Sequence, residues 1–204
     1  MHKHLLVLTI LCVFISVAAA TPLQVEDIIW TSIVGVSVNG NILTKTAGTG
    51  WGNAGAFSVQ YIAAGNDGYA EITVKETSTY RMFGLSDTDA SLSYDTIDYA
   101  IYTSTGGELL VYENGVRREL GLGYTTNDVL QVAREGSYIK YSKNGQVFRT
   151  VSALSGNLYA DASFYNTGST VYNAKIATTV PEPTSWLLLS AGLLLVRRKM
   201  ILVE

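Results

Sequence analysis

Both histidines (His2 and His4) and the only cysteine (Cys12) lie within the first twelve of 204 residues, so beyond them the reactive side chains are carboxylates, tyrosines, lysines and serines. A form that has shed its N-terminus has no histidine base, no thiolate nucleophile, no Cys/His zinc site and no disulfide. Asp87-Thr88-Asp89-Ala90-Ser91 sets oxygens at alternate positions, with Asp95 and Asp98 beyond, a spacing that a calcium loop can use. Leu92 stands where such a loop needs a glycine, and Asp and Ser equally make plain turns between strands. Calcium is therefore the one cofactor the sequence leaves open, with no metal ligand assigned. Glu71 and Glu76, five residues apart, would point to opposite sides of a regular strand, which separates them. No catalytic residue is assigned.

The stretch Gly48-Thr49-Gly50-Trp51-Gly52-Asn53-Ala54-Gly55 is a glycine-rich loop around a tryptophan. No Lys-Ser/Thr follows and no helix begins there, so it is not a phosphate cradle. Trp51 is left to stack on a sugar ring at a loop edge or to plug one end of the fold, and large aromatics more often do the second. Thirteen tyrosines offer flat faces and hydroxyls suited to saccharides, although tyrosine is also a favoured strand residue.

These groups must be held by strands. Apolar residues make up 48% of the chain and its net charge is -3, a globular composition that argues against disorder and against a nucleic-acid surface. Residues 21–180 carry fifteen acids against ten bases, a mildly acidic body of one-domain size. Period-two runs recur there about every ten residues: Phe57, Val59 and Tyr61; Ala70, Ile72 and Val74; Ile97, Tyr99 and Ile101. Asn39-Gly40, Asn114-Gly115 and Asn144-Gly145 each sit between strand-like segments and mark tight hairpins. The expected architecture is an all-β, two-sheet antiparallel sandwich of about a dozen strands with no long helix in the body, the first strand running unbroken over residues 30–38.

The ends read as addresses. Lys3 precedes the apolar run 5–17 and then Ala18-Ala19-Ala20, so residues 1–20 are expected to be a signal peptide that signal peptidase cuts after Ala20, reading Ala18 and Ala20. At the other end, Pro181-Glu182-Pro183 breaks any strand, residues 186–196 are apolar, and Arg197, Arg198 and Lys199 form a basic stop. The three-part organisation expected is 1–20 leader, 21–179 sandwich and 180–204 tail.

Residues 180–204 resemble the PEP-CTERM sorting signal of exported bacterial proteins, with Pro181, Glu182 and Pro183 as its motif and Arg197, Arg198 and Lys199 as its basic cluster. The resemblance implies an exosortase-type membrane protease as partner, transient membrane insertion of the tail, and release or surface attachment in a Gram-negative bacterium that makes exopolysaccharide. In the body, Leu109 to Gly115, Gly123-Tyr124, Asn127 to Val132, and Tyr138 to Gly145 with its Lys-Asn-Gly turn, together with Phe83-Gly84-Leu85-Ser86, are similar to concanavalin A-like lectin/glucanase jelly rolls and their laminin-G and SPRY members. That resemblance implies fold more than function, and the Glu-x-Asp-x-Glu strand of the superfamily's glucanases is missing. The expectation is an exported, non-catalytic protein associating with exopolysaccharide or another surface glycan. The alternatives are a structural biofilm component acting by protein contacts and a carboxylate-based glycoside hydrolase.

Overall fold

A computed structural model describes residues 22–179, which form fifteen strands and one 3₁₀ turn, Tyr94–Thr96. Every strand pairing is antiparallel. The first sheet runs in the order β13 (Gln146–Ser152), β12 (Tyr138–Lys143), β11 (Val129–Glu135), β6 (Gly68–Thr73), β15 (Thr170–Thr179), β4 (Ile42–Lys45), β3 (Val36–Asn39), and β1 (Leu23–Asp27) also pairs with β15. The second runs β10 (Val116–Gly123), β9 (Glu108–Glu113), β8 (Tyr99–Thr103), β7 (Arg81–Ser86), β14 (Leu158–Phe164), β5 (Gly55–Ile62), β2 (Trp30–Val34). Leu23 pairs with Thr179, so the two described ends of the chain leave the same edge.

Alternation along each strand builds the core. Ala70, Ile72, Leu130, Val132, Tyr141 and Ile176 face inward from the first sheet and meet Phe83, Leu85, Tyr99, Ile101, Val111 and Phe164 from the second. Ala70, Ile72 and Val74 share the inner face as expected. Phe57, Val59 and Tyr61 do not: their side of β5 faces outward, and Val59 is 54% exposed, because Ala56 and Ile62 fill the interior there. Ile97 parts from Tyr99 and Ile101, since it precedes β8 and lies with Met82 and Ala100 on the outer side of the second sheet.

All three hairpins form. Asn114-Gly115 and Asn144-Gly145 are two-residue turns with both φ positive (+49° and +71°, +52° and +76°), the geometry that matches strand twist. The first hairpin is displaced by one position: Asn39 pairs with Ile42, so the turn is Gly40-Asn41, with φ +59° at Gly40. Strand 30–38 is two strands in different sheets. Gly35 carries the chain across at φ +62°, and a Cβ there would lie 2.2 Å from the Asn53 carbonyl oxygen, so only glycine makes the crossing. β1 went unanticipated because all five of its residues are exposed and its sequence has no buried face to reveal it.

Two buried guanidiniums tie segments together. Arg81 donates from Nη1 to Glu76 Oε1 (2.8 Å), and Glu76 in turn accepts from Thr170 N (2.9 Å) and Thr170 Oγ1 (2.5 Å), fixing the β6–β7 connection to the start of β15. Arg134 donates to the carbonyls of Ala63, Leu154 and Gly156 at 2.7–3.1 Å, gathering two further connections. Across the far edge, Arg149 meets Glu113 through Nε (2.9 Å) and Nη2 (3.0 Å), a two-pronged pair between sheets. No helix among the described residues is long and apolar enough to cross a membrane.

Candidate functional site

The site begins with Lys45, the last residue of β4, whose side chain is 1% exposed. Its Nζ donates into four oxygens: Gly50 O (2.6 Å), Asn53 Oδ1 (2.7 Å), Tyr165 O (2.8 Å) and Phe164 O (3.0 Å). Burial pulls the ammonium pKa below its ordinary value, and the oxygen cage is what makes a cation tolerable there. Asn53 also donates from Nδ2 to Gly48 O (2.9 Å), and Gly50 N donates to Tyr165 O (2.8 Å), so the glycine-rich loop closes around the lysine. Gly50 (φ +148°) and Gly52 (φ +77°) allow the curvature.

The loop lays Trp51 on the outer face of the second sheet, neither at the end of the sandwich nor alone at a loop edge. Its ring centroid is 5.0 Å from Tyr94, 5.5 Å from Tyr165 and 6.0 Å from Tyr102. Tyr102 is stacked 5.9 Å from Tyr80 and meets Tyr112 edge-on at 5.4 Å. These six rings are all half-buried; Trp51, Tyr94, Tyr102 and Tyr112 rest on Met82, Ile97 and Ala100, and Tyr80 and Tyr165 join them through ring contacts. Burial, with Tyr80 and Tyr112 adding to it, raises the Tyr102 pKa, so its hydroxyl stays protonated and able to donate. A broad aromatic surface edged by hydroxyls can stack on the apolar face of a sugar ring and hydrogen-bond its substituents.

Residues 87–98 fold against this face. Ser163 Oγ donates to Leu92 O (2.8 Å), and Asp98 Oδ2 accepts from Asp87 N (2.8 Å), which closes the loop on itself and delivers Tyr94 and Ile97 to the cluster. Asp161 of β14, on the same side, accepts from Ser86 Oγ (2.7 Å). Burial above all, then the charges of Asp89 and Asp98, push its pKa up to about 7, against the opposing pull of Ser86 and the Ala162 amide. Among the described residues no three carboxylates gather to hold a metal ion, so Asp87, Asp89, Asp95 and Asp98 are not brought together as a calcium set. Glu71 and Glu76 are likewise apart: the first accepts from Gln131 Nε2 (3.0 Å) on the outer face of the first sheet, the second holds Arg81. Ala18, Ala20, Pro181, Glu182, Pro183, Arg197, Arg198 and Lys199 lie outside the described residues.

Sequence reasoning singled out Trp51 but missed Lys45, and it counted the tyrosines without grouping them. Tyr94, Tyr102, Tyr112 and Tyr165 follow no common period and meet through strand pairing, as when Ala100 sits opposite Tyr112, and through the folding of residues 87–98 onto the sheet.

The chain matches no protein-family model and no curated protein. Solved structures do match. The TRIM65 PSpry domain is 10% identical with a TM-score of 0.52, covering 77% of this chain and 93% of its own. The VIP36 exoplasmic/lumenal domain in its Ca2+/Man2-bound form is 5% identical with a TM-score of 0.51, covering 76% and 82%. The Crh5 transglycosylase in complex with NAG is 11% identical with a TM-score of 0.50, covering 79% and 86%. The likeness is one of fold: the chain is a concanavalin A-like jelly-roll sandwich, as the resemblance of its turn and core segments to that fold implied.

Two outcomes follow from the site's electrostatics. Lys45→Met leaves four inward-aimed oxygens without their shared donor and should cost roughly 3 kcal/mol or more in urea unfolding, with a red-shifted tryptophan emission in the folded state. A loss below about 1 kcal/mol would show that the loop does not depend on the cage. Asp161 keeps its proton in the folded state while the unfolded chain has lost it, so its contribution falls as pH rises from about 4 through about 7. Asp161→Asn should flatten that part of the stability–pH curve and make the protein more stable than the parent at pH 8; parallel curves would refute the assignment.

Proposed function

We propose that this is an exported, non-catalytic protein of the cell surface or surrounding matrix that binds polysaccharide on the outer face of its second sheet. The observation that carries the reading is the six-ring surface of Trp51, Tyr80, Tyr94, Tyr102, Tyr112 and Tyr165. Aromatic faces with hydroxyl rims suit pyranose rings, which are apolar on one side and polar at the edge. The fold accommodates sugars elsewhere: the VIP36 domain is known with Man2 and Crh5 with NAG. The non-catalytic part is supported by the engagement of the nearby acids, Asp98 with the Asp87 amide and Asp161 with Ser86. The address is supported by the leader 1–20 and by the tail 180–204 with its likeness to PEP-CTERM signals. Signal peptidase and an exosortase-type protease are the processing partners in this reading.

One observation favours the structural alternative. Ile29 (60% exposed), just before β2, and Val59 (54%) and Tyr61 (44%) of the adjoining β5 stand out at this edge, an apolar surface suited to contacts between proteins.

Affinity electrophoresis of the full-length protein in gels holding the producing bacterium's own exopolysaccharide tests the binding. The parent should be retarded, and Trp51→Ala and Tyr102→Ala should each weaken retention at least tenfold, whereas Val59→Ser should not. A folded parent that runs unretarded would overturn the glycan reading, self-association lost in Val59→Ser would favour the structural one, and release of reducing ends would favour a hydrolase. The address is tested by mass spectrometry of the protein from its native host. The mature chain should begin at Thr21 and end before residue 197, and Pro181→Ala/Pro183→Ala should leave the tail uncut in the membrane fraction. An intact tail on the parent protein would refute the processing.

A further inference from the structure

The outer face of the first sheet carries a second built surface. Register sets three rows of side chains across its strands. The first row is Ser142, Gln131, Glu71, Lys175 and Asp27, each opposite the next on β12, β11, β6, β15 and β1. It is joined by hydrogen bonds: Gln131 Nε2 to Glu71 Oε2 at 3.0 Å and Lys175 Nζ to Asp27 Oδ1 at 3.0 Å.

Two residues along, the row reads Lys140, Ala133, Tyr69, Ala177 and Val25. Tyr69 is thus flanked on both neighbouring strands by nothing larger than a methyl group. Glu135, Asp67 and Leu23 rise on the other side, Asp67 held by the Gly136 amide at 2.7 Å and Glu135 by Lys140. A cavity of about 390 Å³ results, within the size range of small-ligand sites. Rows two residues to either side of Tyr69 are about 13 Å apart at ~3.3 Å per residue, the breadth of a groove that runs across the strands.

We propose that this groove is a second polysaccharide-binding site, and that the domain holds two chain segments on opposite faces and so cross-links them. The inference rests on the polysaccharide reading above for its ligand class and goes beyond it in site, charge preference and valency. Tyr69, with the Gln131 amide and the Asp67 and Glu135 carboxylates lining the same cavity, supplies both the stacking surface and the donors and acceptors that a sugar ring uses. The ligand is a neutral hexopyranose chain, because the cavity is lined by the carboxylates of Asp67 and Glu135, Arg134 beside them is spent on the carbonyls of Ala63, Leu154 and Gly156, and Lys140 in the Tyr69 row is paired with Glu135. A uronate would enter beside two carboxylates.

Chemical-shift mapping of the ¹⁵N-labelled full-length protein with neutral hexasaccharides of β-1,4-glucan, β-1,3-glucan and mannan, and with hexauronate as the contrast, separates the two readings. One neutral series should shift both the amides around Trp51 and those of Tyr69, Gln131 and Ala133. In Trp51→Ala only the second group should still shift. In Tyr69→Ala, and in Ala133→Arg, which fills the groove from its floor, that group should weaken at least tenfold while the first persists. Shifts confined to the Trp51 face overturn this inference and leave the proposed function standing. Shifts confined to the Tyr69 groove overturn cross-linking and the proposed site together, and a stronger response to hexauronate overturns the charge preference. No shift with any oligosaccharide removes both readings.

Discussion

The buried ammonium of Lys45 is the point on which the outer architecture depends. A cation out of water is costly unless oxygens surround it, and those that do so here come from three places: the loop at Gly50 and Asn53, the end of β14 at Phe164, and Tyr165 just beyond it. One atom therefore joins β4 of the first sheet, the end of β14 in the second, and the loop that carries Trp51. The glycines of that loop are a consequence, since a backbone that turns its carbonyls onto a single donor needs positive φ at Gly52 and the wide angle at Gly50. Arg81 and Arg134 repeat the device elsewhere, one through Glu76 and one through carbonyls alone. A body with no cysteine fastens its connections with internal cations.

From that frame the two outer faces acquire opposite characters. Both arise from the alternation that fills the core, because each residue packed inward leaves its neighbours outward. On the second sheet the outward positions near the Lys45 loop are aromatic, and the loop adds Trp51 to them. On the first sheet they are polar and matched across five strands, with small residues clearing the space about Tyr69. Residues 87–98 belong to the first of these surfaces, and Asp98 helps to shape it by accepting from the Asp87 amide, while Asp161 of β14 lies buried on the same side.

What could be read from the sequence was what is local. Asn114-Gly115 and Asn144-Gly145 form the turns they announce because two residues and their φ angles decide the matter. The two-sheet class followed from period and spacing in the same way. Gly35 was not legible, since the apolar residues on either side of it read as one strand and only the Asn53 carbonyl, eighteen positions away, shows why the chain must cross. Lys45 was one base among ten in the body, and two of its acceptors are backbone oxygens 119 and 120 residues distant. The aromatic surface was visible as a composition and invisible as a place. Its members come from two loops, the ends of strands and two paired strands, an assembly that register and loop closure create together.

The Lys45 cage also bears on why the acidic loop gathers no metal set. Four oxygens at 2.6–3.0 Å around one positive charge are a donor arrangement of the kind that loops in other proteins complete with a bound ion. Here the charge is covalently part of the chain, and the four oxygens meet on Nζ without an added ion. Within 87–98, Asp98 serves as a cap, where an aspartate needs only one good donor, the Asp87 amide. The lysine thus does for the Trp51 loop, from within the chain, what a bound cation does for loops of that kind.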